Sequence, residues 1–366
     1  MFDSSYKDEG FSAFKKIKTV NHRLFNVTPP HFVDRLPDPV DKIIYWKASV
    51  LRAFLFHFSL CILHDVLEPE YFEHFVSFVK AISILNSSSV SPGDIEISSS
   101  LLTQFVRFQI LYGKRHMTHN IHMLLHVSAN VDYLAPLWVT NCFKFEVMNG
   151  RVTQLVHGTR YAGIQVCSNL SVVTRLPLMV HNLNNPHVKD FCDQLRYKGL
   201  SLRVSEKISD NTLCVGELAD LSIKDDWIVH EFSQIVSNPN ANSLKIFNRL
   251  YMDKMLYVSS TYSRGKRISS YVKYSVGNSL EIGNIVHFVR FSPGSENPQY
   301  FAVVQRLQTS LPFQTNNVTI SHVHQIHYPY VAIDVIPIIK LHTVLFKTDV
   351  SDAVYVSEPL NHFELE

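Results

Sequence analysis

Cysteine is scarce in this chain, and its spacing disfavours the common cysteine-built sites. The five cysteines are widely separated and include no Cys-x-x-Cys pair: Cys61, Cys142, Cys167, Cys192 and Cys214. Disulfide frameworks use an even number of cysteines, and zinc ribbons use closely spaced Cys-x-x-Cys pairs. The pattern therefore argues against both and favours a reducing, intracellular compartment.

A strong charge bias and a long apolar run are also missing. The net charge is +2, so there is no chain-wide attraction for nucleic acid, and the basic runs at 15–18 and 264–267 are short. The most apolar early stretch, residues 48–66, is interrupted by Arg52, Asp65 and two histidines. This stretch predicts a buried helix and no membrane span. The polar, acidic N-terminus lacks the features of a signal peptide.

Motifs for nucleotide and hydrolase chemistry are absent as well. The sequence has no P-loop, no Gly-x-Gly-x-x-Gly and no Gly-x-Ser-x-Gly elbow. These absences disfavour nucleotide-dependent chemistry and serine or cysteine hydrolysis, and we expect no small-molecule substrate. With 46% apolar and 18% charged residues, the chain can still bury a sizeable core.

Apolar residues recur at three- and four-residue spacing through the first half of the chain, which predicts amphipathic helices. Pro69 suits a first helical turn, and Gly113 and Gly158 suit helix ends. The predicted helices cover residues 46–67, 71–85, 94–112, 118–133 and 144–157. We therefore expect a helical domain at residues 1–175.

β-branched and aromatic runs replace this pattern toward the C-terminus and predict short strands. The runs lie at 255–258, 270–274, 285–291, 300–307, 318–323 and 330–336, with turn signals at 277–278, 283–284, 293–294 and 316–317. They predict a small all-β sandwich or barrel at residues 249–366. Residues 176–248, which are rich in Asn-containing turns, are predicted to be an irregular connector. The predicted fold class is thus α+β.

Aromatic side chains in the predicted strands leave two interpretations open. They can form strand core, or they can line a peptide groove or an aromatic cage of a host interaction module. The residues concerned are Tyr257, Tyr262, Tyr271, Tyr274, Phe288 and Phe291.

Six ordered motifs between residues 46 and 159 carry a family resemblance. They are Trp-Lys-Ala-Ser at 46–49, Leu-Tyr-Gly at 111–113, Met-Thr-His-Asn-Ile-His at 117–122, Pro-Leu-Trp at 136–138, Phe-Glu at 145–146 with Asn-Gly at 149–150, and His-Gly-Thr at 157–159. Together they resemble the C-terminal part of CACTA-type (CMC superfamily) DDE transposases, a region first described in plant elements as a domain of unknown function. A fainter similarity continues through 262–274 into a C-terminal β module.

The resemblance implies descent from an enzyme with an RNase-H-like core, which holds Mg²⁺ on three carboxylates. Glu146 matches the position of the last acid, whereas the two aspartates of that family lie upstream of the helical insertion. No strand set carrying two aspartates is evident before the helices here. One carboxylate cannot hold two metal ions, so we expect neither a cofactor nor catalysis from this chain alone. From the residues themselves, Glu146 is equally a first-turn acid that the helix dipole stabilises.

A second metal reading concerns three histidines at helical spacing. His119, His122 and His126 fall on one helical face, and His122 and His126 have the spacing of zinc-binding helices. Met123 stands where such helices carry a general base, and His116 or Cys142 would have to supply further ligands. The alternative is that these are interior or boundary histidines bonded to the backbone.

The resemblance leaves three alternative functions open. In a complete transposase Arg151, His157 and Arg160 would face DNA phosphate, and the alternative for this chain is that they form a polar helix end. The first function is a transposase-derived, inactive protein that keeps DNA or protein binding. The second is the C-terminal part of an active transposase acting on transposon ends, in which Glu146 completes the triad with Mg²⁺. The third is a host interaction module. The resemblance implies a nuclear location, and we expect the apolar face of residues 142–155 to be exposed or to pack on the β module.

Overall fold

A computed structural model describes residues 1–196, 204–221, 226–236, 243–262, 265–293, 297–315 and 318–361. The predicted α+β class is confirmed, with helices in the N-terminal region and antiparallel strands toward the C-terminus. The chain divides into two compact units, which cut across the predicted boundaries at 175 and 249. The larger unit is Met1–Val139 with Val204–Glu366, and the smaller is Thr140–Arg203.

The helices of the N-terminal region follow the apolar periodicity closely. They are α1 (Ile17–Phe25), α2 (Ala48–Ala53), α3 (Ser59–Leu63), α4 (Pro69–Leu85), α5 (Pro92–Phe108), α6 (His119–Met123), α7 (Val127–Tyr133) and α8 (Leu137–Thr140). As predicted, Pro69 opens α4 and Gly113 ends the third predicted helix, with a φ of 88° that side chains strain to adopt. The predicted helix 118–133 is interrupted, because a 3₁₀ turn at Leu124–His126 separates α6 from α7.

The apolar stretch at 48–66 is buried, as predicted, and it joins the helices to the strands. A π-helical turn at Phe54–Phe58 links α2 to α3 and buries Phe58. The hydrophobic core around this stretch also contains residues of C-terminal strands, including Phe346 and Val350. Helices and strands share one core, so they do not form the separate helical and β domains that sequence periodicity predicted.

Strands from across the chain build the β region. They are β1 (Val27–Thr28), β2 (Val204–Ser209), β3 (Thr212–Val215), β4 (Ala219–Asp220), β5 (Leu244–Phe247), β6 (Arg249–Met252), β7 (Met255–Val258), β8 (Tyr271–Val276), β9 (Ser279–Phe291), β10 (Gln299–Ser310), β11 (Gln314–Thr315), β12 (Val318–Thr319), β13 (Val323–Pro337), β14 (Leu341–Val344), β15 (Phe346–Val350) and β16 (Ala353–Ser357). The largest sheet has the order β1-β15-β16-β13-β10-β9-β5-β4, and β8 joins β9 to β14. Because β14 runs on into β15, these pairings close into a circuit, in keeping with the predicted barrel or sandwich.

Both faces of the central strands are covered, because their side chains alternate between two cores. On β10, Ala302 and Val304 enter one core, while Phe301 and Val303 enter another with α12 (Asp226–Ser233).

The predicted irregular connector is wrong in large part. Residues 176–248 contain the end of one helix, a further helix, α12 and β2 to β5, whose short apolar runs pair with strands that are distant in sequence. The Asn-rich turn predicted at 238–242 lies outside the described residues.

The predicted turn at 283–284 is also wrong, since β9 runs through it. A side-chain Cβ on Gly283 would lie 2.7 Å from the Gln305 carbonyl oxygen and 2.9 Å from the Tyr274 ring. Glycine is needed here because the Val304 side chain also occupies the space that a Cβ would take. Tyr274 donates a hydrogen bond to Asp334 Oδ2 at 2.6 Å. Arg306 on β10 makes two hydrogen bonds to the same carboxylate, at 2.8 and 2.6 Å.

The turn predicted at 277–278 is confirmed, whereas 316–317 and Gly294 of the pair 293–294 lie outside the described residues.

Strand core is the correct interpretation of the aromatic residues. Five of the six side chains named from the sequence are at most 8% exposed: Tyr257, Tyr271, Tyr274, Phe288 and Phe291. Tyr262 alone is half-buried and accessible. Through the described ranges, the helices are all too short or too polar to cross a bilayer.

Candidate nucleic-acid interface

In the described part of the smaller unit, three helices and the loop between the first two carry the predicted catalytic and DNA-contacting residues. The helices are α9 (Phe143–Gln154), α10 (Ala162–His181) and α11 (Pro186–Arg196), and α10 contacts both of the others. The Asn141 side chain accepts a hydrogen bond from the Phe143 amide at 3.0 Å and so helps to start α9. The predicted start near residue 144 is therefore confirmed. The predicted end is wrong, because α9 stops at Gln154 and Gly158 does not adopt a left-handed cap.

Glu146 lies exposed in the first turn of α9, where its amide donates to the Cys142 carbonyl. This position suits the helix-dipole interpretation, and it leaves the carboxylate accessible. Among the residues that the structure describes, no three His, Cys, Asp or Glu side chains are grouped to hold a metal ion. The described residues therefore do not fit a two-metal site, and Glu146 as a catalytic acid remains a prediction.

The loop between α9 and α10 is held by two amide side chains of α10. Gln165 Oε1 accepts hydrogen bonds from the backbone amides of His157 (2.8 Å) and Gly158 (3.2 Å), and Gln165 Nε2 donates to the Arg160 carbonyl (2.7 Å). Asn169, one turn later, donates to the Leu155 carbonyl at 2.8 Å. These bonds fix the backbone that presents His157 and Arg160.

Sequence reasoning missed Gln165 and Asn169 as positioning residues. Their signal was a pair of amides at i and i+4 in an otherwise apolar stretch, which places both on one face of a helix. Tyr161, just before α10, has a φ of 55°. A non-glycine residue adopts this left-handed conformation at a cost, and it turns the chain sharply after Arg160.

Four basic side chains of this unit are accessible to a ligand. Arg151, His157, Arg160 and Arg175 are exposed, and within the described residues none of the three arginines forms an ion pair. Charge is also unevenly distributed along the sequence. Residues 140–203 hold eight Lys/Arg and three Asp/Glu, net +5, while the rest of the chain holds 26 and 29, net −3.

Apolar side chains of the smaller unit are exposed, which agrees with the expectation for residues 142–155. Phe145 is 69% and Met148 is 53% exposed on α9. On α10, exposure extends over most of the helix, and only Val180 is buried. A surface that combines arginines with exposed aromatic and aliphatic groups is typical of binding to nucleic acid or protein.

The histidines proposed for zinc are exposed, so the interior interpretation is wrong. His119 and His122 lie on α6, and His126 ends the 3₁₀ turn that follows it. The rings of His122 and His126 are neighbours, with centroids 5.3 Å apart. His116 packs instead against the rings of Tyr6 and Phe11. Two adjacent rings do not complete a structural zinc site, which takes four ligands.

No family model matches this chain, and no curated protein or solved structure matches it either.

Proposed function

We propose that the chain is a transposase-derived, non-catalytic DNA-binding protein in which residues 140–203 make the DNA contact. The uneven distribution of charge carries this proposal, because residues 140–203 have a net charge of +5 and the rest of the chain has a net charge of −3. Phosphate contacts by Lys and Arg supply most of the sequence-independent affinity for DNA. Such a protein would act inside the cell, in the nucleus.

The α9–α10 loop supports the same role. The hydrogen bonds from Gln165 hold the loop backbone in one arrangement, so Arg160 and His157 would lose little backbone entropy on binding. Arginine suits phosphate because its planar guanidinium donates two parallel hydrogen bonds.

Binding of a duplex of arbitrary sequence, measured by fluorescence anisotropy at several salt concentrations, tests this proposal. We expect the triple variant Arg151→Gln/Arg160→Gln/Arg175→Gln to bind more weakly at every salt concentration. Its slope of log K against log salt should fall by about 0.9 for each phosphate that the variant no longer neutralises.

A matched triple variant of the larger unit provides the control. Arg35, Lys47 and Lys340 are exposed, so Arg35→Gln/Lys47→Gln/Lys340→Gln removes the same charge. Equal losses of affinity in the two triple variants would show that net charge alone governs binding and would contradict the proposal.

The alternative is that the chain forms the C-terminal part of an active transposase. The exposed position of Glu146 favours it, since the carboxylate is accessible for metal ligation. Nicking of supercoiled DNA with Mg²⁺ or Mn²⁺ distinguishes the two functions. We expect no nicking, and metal-dependent nicking that Glu146→Gln abolishes would establish the alternative.

A further inference from the structure

In the larger unit, a row of four backbone segments carries basic side chains. Arg249 on β6 pairs with Val258 on β7, and the Val258 amide donates to the Ser269 carbonyl at 3.1 Å. The Ser269 hydroxyl accepts from the His31 amide at 3.0 Å and lies 2.9 Å from His31 Nδ1. Arg249, Val258, Ser269 and His31 therefore lie in this order on four successive segments.

Arg267 joins this row next to Ser269. Its Nε donates to the Val33 carbonyl at 2.8 Å and its Nη2 to the Asp34 carbonyl at 2.7 Å. These bonds hold the guanidinium in place and leave other N–H groups of the fork unused. Arg267 is half-buried, which restricts its motion further.

Arg249 is held by an aromatic ring and a glycine. Its guanidinium lies over the Tyr262 ring, 5.0 Å from the centroid. Gly216 has a φ of 100°, and a Cβ there would lie 3.3 Å from Arg249 Nη2, so glycine provides the space. Within the described ranges Arg249 and Arg267 form no ion pair.

Burial, and then the nearby Arg267 and Arg249 guanidinium groups, lower the pKa of His31 below its ordinary value. Asp34, three residues after His31, and Glu217, next to Gly216, are exposed acids, and neither contributes to this shift. Lys266, next to Arg267, lies over the Phe25 ring, with its Nζ 3.3 Å from the ring centroid.

We propose that His31, Arg249 and Arg267 form a binding site for a tetrahedral oxyanion of the phosphate class. Two guanidinium groups held by other contacts, together with an imidazole bonded through Nδ1, offer donors to the several oxygens of such an anion. The site lies in the larger unit and does not depend on DNA binding by residues 140–203.

Sulfate is the probe, because its charge stays constant over the pH range in which histidine titrates. The pKa of His31 is measured by NMR in sulfate and in chloride at equal ionic strength. We expect sulfate to raise the pKa of His31, since the bound anion offsets the repulsion from both guanidinium groups. The affinity for sulfate should accordingly increase as the pH falls.

The Arg249→Gln variant should weaken sulfate binding at least about tenfold, because one charge-assisted donor is removed. Lys340→Gln, which removes an exposed lysine elsewhere, is the control and should bind as the wild type does. Arg249→Lys replaces it if the Gln variant does not fold, and should also weaken binding. An unchanged His31 pKa in sulfate, or equal sulfate binding in wild type and the Arg249 variant, overturns the proposal.

A short DNA duplex identifies the source of the anion. If the duplex raises the pKa of His31 as sulfate does, the site accepts a phosphate of the nucleic-acid backbone. If sulfate acts and the duplex does not, the site takes a free oxyanion. If neither acts, no such site exists.

Discussion

Strand β9 and helix α10 are both rich in apolar residues, yet the chain treats them in opposite ways. Ile285, Phe288 and Val289 on β9 are fully buried, because β9 has a covered face on each side. On α10, Val172 is 60% and Met179 is 65% exposed. Apolar content alone therefore does not determine burial, since what matters is whether the chain supplies a partner for each face.

From this difference we expect that substitutions in the two regions affect different properties, namely the free energy of unfolding and the affinity for a partner. Substitutions at the buried positions of β9 should act on the free energy of unfolding, because an atom that is added or removed there has packed neighbours. Substitutions on the exposed faces of α9 and α10 should change that free energy little and act on whatever binds there.

The same substitution at two glycines should give the largest contrast. Gly283→Ala places a Cβ 2.7 Å from the Gln305 carbonyl oxygen, so we expect a loss of about 3 kcal/mol in the free energy of unfolding. Gly150→Ala on α9 meets no atom within 4 Å, and it should stabilise its helix by about 0.5–1 kcal/mol. Urea denaturation followed by circular dichroism measures both. Similar effects at the two positions would remove the contrast between β9 and the exposed helices.

Gly283 also shows where prediction from the sequence ends. The apolar runs at 255–258, 270–274 and 300–307 located β7, β8 and β10, because alternation and turn signals are local. The glycine at 283 looks like a turn locally. A Cβ there would meet the Val304 side chain and the Gln305 carbonyl oxygen of β10 as well as the Tyr274 ring of β8, and this crowding requires the pairing of β8, β9 and β10.

The candidate interface was likewise predictable where it depends on local signals and unpredictable where it depends on packing between helices. The start of α9, with Glu146 in its first turn, follows from local signals. Helix α10 was missed, because it is apolar on most sides, contains Pro177 and so lacks a clear amphipathic period. Without α10, the support that Gln165 gives to the loop cannot be derived, since it depends on two helices that pack against each other.

A second contrast sets the buried ion pair against the exposed cations. Asp334 is 12% exposed and Arg306 is 28% exposed. Removing the negative charge by Asp334→Asn leaves Arg306 partly buried without an ionic partner, and we expect a loss of about 2 kcal/mol in the free energy of unfolding. Arg175→Gln, at an exposed arginine of α10, should change that free energy by less than about 0.5 kcal/mol. The midpoint of urea denaturation checks both variants, and an equal shift in the two would contradict the separation of stability from binding.

The smallest expected effect is a pH dependence that originates in the larger unit. His74 is buried, with Nε2 2.8 Å from the Phe105 carbonyl oxygen and Nδ1 3.1 Å from the Tyr112 hydroxyl. Burial lowers the pKa of His74 below its ordinary value of 6.5, although the bond to Phe105 partly opposes this. The unfolded chain therefore takes up a proton first as the pH falls through 6.5, and stability should decrease below that pH.

His74→Gln keeps a donor and an acceptor in place but removes the titration. We expect the urea midpoint of this variant to fall less than that of the wild type between pH 7.5 and 5.5 (about one unit on each side of the histidine value). A residual slope should remain, since the pKa of His31 is lowered as well. His157→Gln, at an exposed histidine of the smaller unit, should leave the wild-type profile unchanged. If instead His157 controls the profile, the titration that affects folding lies in the smaller unit, and the assignment of stability to the larger one fails.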